Sequence, residues 1–442
     1  MVASERAHTT SSRRRFLTGL GVAGGMGLAG CSTRNALVGD IASGSGTTVE
    51  FWTLFSGGDG ATMQSIVSRF NDEQPLGNVQ IDRQRIPWND YYTKVYTALV
   101  ADKGPDIAIM HQALISRFRQ MLTPYNRYID DSTASQYVPT LWKRMRFDGN
   151  QLALPLDAHP IGAYYNRSVF EEAGLDPDSP PTNFREFKNV CDTIVTETDA
   201  NAFAPSAAMS PIELLRTFIA FDRQRGGQLF NDDLTEVRFN NPNGLRIAQL
   251  YHNSTGKYGW DLPNASASRT DVAFQDGNLG IIVNGTWYAA VLQTLDGMDW
   301  NMFKPFVAPG KQQNWTESGS HTIVLPRKQS RDREQTQTAV RVAEWLTQEN
   351  PIWGTQAGHL PAASKLQNSP ALRESPLWSK SLSKFSEMAS EDQFAYLPRT
   401  PFNVNEASTW DFLLDIYSHS TSPKAGLERG AETVQGLIDD VN

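Results

Sequence analysis

Thr47-Thr48-Val49-Glu50-Phe51-Trp52-Thr53, and the residues Met63, Ile66, Val67 and Phe70 that follow, decide the fold. In the first stretch Thr47, Val49, Phe51 and Thr53 alternate, and with Val-Phe-Trp at its centre it reads as a buried strand. In the second, apolar residues recur at i, i+3, i+4 and i+7, the spacing of an amphipathic helix. Working outward, residues 79–86 predict a second strand, and Tyr92, Val95, Tyr96 and Leu99 a second helix. Residues 106–110 then predict a third strand. A β-α-β-α-β run implies a mainly parallel sheet with helices on both faces, and such sheets bind ligands at the carboxyl ends of their strands.

A second unit begins after Leu152-Ala153-Leu154-Pro155-Leu156-Asp157. Asn183 predicts a helix start, with Glu186 three residues on as in a capping box. Phe184, Phe187, Val190, Cys191 and Ile194 then share one face, so Cys191 reads as a core residue and not as a nucleophile. Further helices are predicted over 212–221, 244–251, 340–346, 410–417 and 427–441. Residues 279–283 predict a short buried strand that ends in Asn284-Gly285-Thr286-Trp287.

At the other end of the chain, Ser12-Arg13-Arg14-Arg15-Phe16-Leu17 resembles a twin-arginine export signal. The glycine-rich apolar stretch from Leu17 to Leu28 is too short to span a bilayer, as expected of a cleaved leader. It runs into Leu28-Ala29-Gly30-Cys31, which resembles a lipobox. That resemblance implies a signal peptide over 1–30, lipidation of Cys31 as the new N-terminus, and a flexible linker over 31–46. The expected location is outside the cytoplasmic membrane, held there by the lipid.

Composition narrows the functional classes. The 442 residues are 40% hydrophobic and 20% charged, which excludes a mainly disordered or fibrous chain. The net charge is −8; because the first thirty residues carry +3, the remainder carries −11. An acidic body argues against nucleic acid and polyanionic substrates. Two cysteines, Cys31 and Cys191, supply neither a disulfide framework nor a cysteine-based zinc site. There is no G-x-S-x-G, H-E-x-x-H or Walker motif, and none of the seven histidines sits at metal-ligand spacing. No catalytic residue, cofactor or metal is therefore expected. The carboxylate pair of a glycan hydrolase leaves no fixed spacing, so that class stays open as an alternative.

A family likeness runs along the mature chain. Phe51-Trp52-Thr53-Leu54-Phe55-Ser56-Gly57-Gly58-Asp59-Gly60, Gly104-Pro105-Asp106-Ile107 and Leu154-Pro155-Leu156-Asp157 appear in order. Tyr164-Tyr165-Asn166, Phe274-Gln275-Asp276-Gly277 through Trp287, and Gly358-His359-Leu360-Pro361 follow. Together they resemble the extracellular solute-binding proteins of bacterial ABC importers, of the sugar and oligosaccharide type. The resemblance implies a type II periplasmic-binding-protein-like α/β fold, with two lobes joined by hinge crossovers. Lobe 1 would comprise 47–157 and 321–372, and lobe 2 would comprise 158–320 and 373–442. It further implies a monomer that captures a carbohydrate between the lobes and delivers it to a membrane permease. Another polar solute, such as a polyol phosphate, a polyamine or iron, is the rival ligand. One departure is Met110-His111-Gln112, which lacks the acidic residue that some maltose-type members place there.

Sugars offer hydroxyls to bidentate acceptors and ring faces to aromatics. Asp157, at the lobe junction, is expected to accept two hydroxyl hydrogen bonds, and Trp287 to stack on a ring. His159 reads either as ligand-binding or as a structural histidine, while His321, at the second crossover after Ser318-Gly319-Ser320, and His111, in the loop after the third strand, are further ligand-binding candidates. Ser56, Gly58 and Asp59 form the strand-to-helix loop, whose backbone N–H groups face a ligand. Trp52, inside its strand, reads either as stacking or as core. Trp260 and Trp410 read as core more than cleft, and Asp106 as structural.

Overall fold

Along β1 (Thr47–Thr53) Val49, Phe51 and Thr53 are buried and Glu50 is exposed, so one face of the strand packs inward. The computed structural model describes residues 46–206, 210–262, 267–304, 310, 313–400, 402–404 and 406–440. The leader, Cys31 and the linker up to residue 45 lie outside them. β1 pairs in parallel with β2 (Val79–Arg85) on one side and with β3 (Ile107–His111) on the other. The helix Gly57–Glu73 buries the predicted Met63, Ile66, Val67 and Phe70. The helix Trp88–Val100 differs from expectation. It buries Tyr91, Val95 and Leu99, leaving Tyr92 half-buried and Tyr96 exposed. Tyr91 sets this phase, because its Oη reaches the carbonyl oxygens of Trp52 and Ile109 at 3.0 and 2.7 Å.

A small hairpin, β4 (Arg146–Phe147) with β5 (Asn150–Gln151), precedes β6 (Ala153–Pro155). Next come β7 (Asp157–Asn166), β8 (Asn201–Ala204), β9 (Leu279–Gly285), β10 (Trp300–Phe303), β11 (Thr316–Gly319) and β12 (His321–Val324). Two short strands, β13 (Leu360–Pro361) and β14 (Phe394–Ala395), complete the set among the described residues. The first sheet has the order β2-β1-β3-β12-β6. Because β12 is antiparallel to both β3 and β6, four of its strands share a direction and β12 opposes them. The second sheet has the order β14-β11-β7-β9-β8, with β10 and β13 also pairing along β7. All ten residues of β7 are buried, as a strand covered on both faces requires.

Single residues carry the chain between the sheets. Leu156 separates β6 from β7, and Ser320 separates β11 from β12. The two crossings lie side by side: the Leu156 N–H donates to the His321 carbonyl at 2.8 Å, and the Gln112 N–H to that of Ser320 at 3.0 Å.

The predicted start at Asn183 is present, with its side chain accepting from the Glu186 N–H at 3.1 Å. The Glu186 carboxylate does not close a capping box on the Asn183 N–H, however; it accepts from the N–H and hydroxyl of Thr182, both at 2.7 Å. Cys191 is buried in the core, as are Trp260 and Trp410. Asp106 accepts from the Glu50 N–H and faces Lys328 and Arg331, a structural role. No helix among the described residues is long and apolar enough to cross a membrane.

Candidate functional site

Strand register assembles the centre of the molecule. His321, at the start of β12, lies opposite His111 at the end of β3. His159 lies opposite Gly319 across β7 and β11, and it shares a face of β7 with Asp157 two residues earlier. Thus Asp157, His159, His321 and His111 converge where both crossings meet.

Asp157 behaves differently from the sequence expectation. Its Oδ1 accepts from the His321 N–H at 2.9 Å and pairs with His159 Nδ1 at 3.1 Å. Its Oδ2 pairs with His321 Nδ1 and accepts from Trp353 Nε1, both at 2.8 Å. Four partners fill the lone-pair sites of a carboxylate, and the residue is 0% exposed. Sugar hydroxyls therefore find no acceptor here. Burial alone would raise its pKa, but His321, His359 and the histidine hydrogen bonds hold it well below the usual carboxylate range.

The histidines around it divide into two kinds. Burial, reinforced by neighbouring His321, holds His111 and His159 well below the ordinary imidazole pKa, so both are neutral at pH 7. His359 goes the other way. Burial opposes its charge, yet Asp59 and Asp157 raise its pKa. Its ring joins Thr286 Oγ1 at 2.7 Å to Asp59 Oδ2 at 3.1 Å. His359 was missing from the sequence-derived set although it stands in the Gly358–Pro361 motif, which was the available signal.

The other expected residues scatter more. Asp59 joins the cluster through His359. Gly58 lies against the helix Thr286–Gln293, where a Cβ would come within 3.3 Å of Ala290 Cβ. Ser56 is exposed and makes no side-chain cap. Trp52 packs partly against the core beneath Lys94, which lies 5.4 Å from its ring centre, and takes no part in the cluster. Trp287 opens the helix Thr286–Gln293 with the Arg216 guanidinium 4.9 Å over its ring and the His159 ring 6.1 Å away. Sequence reasoning missed Arg216 and its buried partner Glu317, joined Nε to Oε2 at 2.9 Å. Burial disfavours the Arg216 cation, but Glu317 and Glu213 outweigh it, and the guanidinium stays charged.

About one and two turns along the helix Pro211–Gln224 from Arg216, Ile219 and Asp222 reach a cavity of about 530 Å3. None of the sequence-derived residues lines it. Its walls bring Arg144, from the helix Pro139–Arg144, together with Arg223, Trp315 and Tyr396. Arg144 lies 3.9 Å over the Tyr396 ring, and Arg223 lies 4.6 Å over Trp315. Asp222 is 0% exposed, and among the described residues neither of its oxygens has a partner. Burial raises its pKa to about 6. The buried Nε of Arg144 is likewise unpaired. The two residues that carry this buried donor and this buried acceptor thus both line one aromatic-walled space.

The family model for the bacterial extracellular solute-binding protein matches residues 56–350. A protein of Brucella abortus, named as a binding protein, is 24% identical over 234 residues, covering 52% of this chain and 55% of its own. The sn-glycerol-3-phosphate-binding periplasmic protein of Yersinia pestis is 28% identical over 153 residues, 32% of this chain and 34% of its own. The chain therefore spans about half the length, or less, of these curated relatives. The structure of the cyclic alpha-maltosyl-1,6-maltose binding protein of Arthrobacter globiformis superposes with a TM-score of 0.74 at 22% identity, covering 90% of this chain and all of that one. That similarity establishes the fold, two α/β lobes of the periplasmic-binding-protein type. With two-thirds of its length matched by the family model, the chain belongs to the bacterial extracellular solute-binding proteins.

Proposed function

We propose that the protein is the substrate-binding component of an ABC importer and takes a sugar or oligosaccharide between its lobes for delivery to the permease. The cavity carries this reading. Sugar hydroxyls both donate and accept, which suits the unpaired Arg144 Nε and Asp222 carboxylate, while Trp315 and Tyr396 offer ring faces. A volume of about 530 Å3 lies within the usual range for small-ligand sites. Of the sequence-derived residues, Trp287 and His111 are half-buried while Asp157, His159 and His321 are buried, and none of them lines this cavity. The lobes would be 47–157 with 321–372, and 158–320 with 373–442, closing by rotation about Leu156 and Ser320.

A polyol phosphate is the second reading. Lys143, Arg144 and Arg223 on the same cavity favour it, and the Yersinia relative is named for such a ligand. An ionised Asp222 opposes it. Thermal-shift screening of neutral saccharides against glycerol 3-phosphate, followed by calorimetry, separates the two. The sugar reading expects a saccharide to stabilise the protein stoichiometrically without releasing reducing ends. Trp315→Ala should then weaken that saccharide about 10-fold or more, as loss of an aromatic anchor does. Binding of glycerol 3-phosphate alone, weakening with salt, would replace the sugar reading; appearance of reducing ends would replace the receptor by a hydrolase. The lipid anchor has its own check: Cys31→Ala should release the protein from membranes, and continued membrane partitioning would remove the lipoprotein assignment.

A further inference from the structure

Three histidines far apart in sequence share one point of the structure. One ring nitrogen each from His111, His159 and His321 lies within 4.8 Å of the other two. Atoms so spaced all lie within about 2.8 Å of a common centre, and zinc–imidazole bonds are about 2.0–2.1 Å long, so shifts under about 1 Å would close the set. Ring centres are already 4.1 Å apart for His159 and His321, 4.8 Å for His111 and His321, and 5.6 Å for His111 and His159.

The surroundings suit coordination. In each ring Nδ1 is already engaged, by Asp157 for His159 and His321 and by the Tyr92 hydroxyl for His111. That leaves Nε2 as the nitrogen each ring can give. A carboxylate behind a ligating imidazole, as Asp157 is behind His159 and His321, is the outer-shell arrangement that fixes its tautomer and orientation. The Arg216 cation that faces them is paired with Glu317. His111, half-buried beneath the 53% exposed Trp88, gives the cluster its outward side.

We propose that His111, His159 and His321 together hold a divalent transition metal ion of the zinc class, oriented by Asp157 and Tyr92, with a fourth position open to water or a solute hydroxyl. Three imidazoles without sulfur select zinc, copper, nickel or cobalt over calcium and magnesium, which take oxygen ligands. Because the ligands come from β3, β7 and β12, the ion would tie the two sheets at their crossings. This inference does not rest on the sugar reading.

The test uses the chain without an affinity tag, stripped with chelator and titrated with Co2+ and then with Zn2+ against a chromogenic chelator. One equivalent of Co2+ with a tetrahedral d–d spectrum is expected. His111→Ala, the ligand nearest the surface, should weaken Zn2+ at least about 100-fold, more than the 10- to 100-fold loss typical of an outer-shell change. His111→Cys should restore binding and add a sulfur-to-cobalt charge-transfer band, a gain that a misfolded variant cannot produce. No stoichiometric uptake by the wild type overturns the proposal, as does equal affinity in wild type and His111→Ala. Saccharide titrations run in chelator report on the cavity separately, so either result can fail without the other.

Discussion

Asp157 and Asp222 are both carboxylates with no exposed surface, and they are opposites. Asp157 is surrounded by four partners and held well below the usual carboxylate range. Asp222 has no partner among the described residues, and its pKa is pushed up to about 6. A buried charge that the fold has fully satisfied is architecture: it joins β7, β12 and the Trp353 segment into one unit. A buried acceptor left unpaired beside a cavity costs stability, a cost understandable where a ligand supplies the missing donors. Burial and residue type alone would have ranked the two equally; their partners distinguish them.

The largest expected effect tests the satisfied member. Asp157→Ala leaves the His321 N–H, the Trp353 indole N–H and two imidazoles without their acceptor. Breaking a buried network of this kind typically costs about 3–5 kcal/mol. Urea denaturation should show that loss near neutral pH with an unchanged m-value. The pH dependence has a definite sign. A depressed folded-state pKa gives stability that is present above the unfolded carboxylate pKa of about 3.9 and disappears as pH falls through the folded value. A cost below about 1 kcal/mol would break the contrast, because Asp157 would then not be holding the crossings together.

The unpaired member predicts the reverse sign. A folded-state pKa raised from 3.8 to about 6 means that the folded protein binds the Asp222 proton more tightly than the unfolded chain. Stability is therefore lost as pH rises from about 4 to above 6, by at most about 3 kcal/mol at 1.36 kcal/mol per unit. Asp222→Asn should stabilise the free protein at pH 8 by about 2 kcal/mol, and the gain should vanish near pH 4. The same change should weaken saccharide binding about 10-fold, the ordinary worth of one charge-assisted hydrogen bond. Stabilisation without any loss of binding would detach Asp222 from the solute site.

The same contrast marks what the sequence could show. Period and spacing identify β1 to β3 and their helices, because a strand or helix announces itself within a dozen residues. The two crossings were legible as motifs, and so was the position of Asp157. Its partners were not, since His321 and Trp353 approach from 164 and 196 residues away. Asp222 was hidden differently. An acidic residue in an amphipathic helix reads as its wet face, and only the fold sets it beside Arg144, Trp315 and Tyr396, which come from three other segments. The histidine cluster escaped for a related reason: metal-ligand spacing is visible when ligands share a helix or loop, whereas these sit on β3, β7 and β12.

Asp59 falls between the two extremes and predicts the smallest effect. Its side chain is 15% exposed, and it holds one partner, His359, at 3.1 Å. It also stands in the first turn of the helix Gly57–Glu73, where a negative charge meets the positive end of the helix dipole. Asp59→Asn keeps the shape and removes the charge, so two losses are expected. The dipole contribution, about 0.5 kcal/mol, should not depend on pH between 6 and 9. The ion-pair contribution should, because Asp59 and Asp157 raise the His359 pKa against the burial that lowers it. A base with a raised folded-state pKa gives stability that is fully present below the unfolded value of about 6.5 and is lost as pH rises through the folded one. The variant should therefore lie about 1–1.5 kcal/mol below wild type at pH 6, with the gap shrinking to the dipole remainder at pH 9, as read from urea midpoints. A gap that does not change with pH would mean that His359 is neutral in the folded protein. Asp59 would then be a helix-terminal charge alone, and the network around Asp157 would end at the ring of His359.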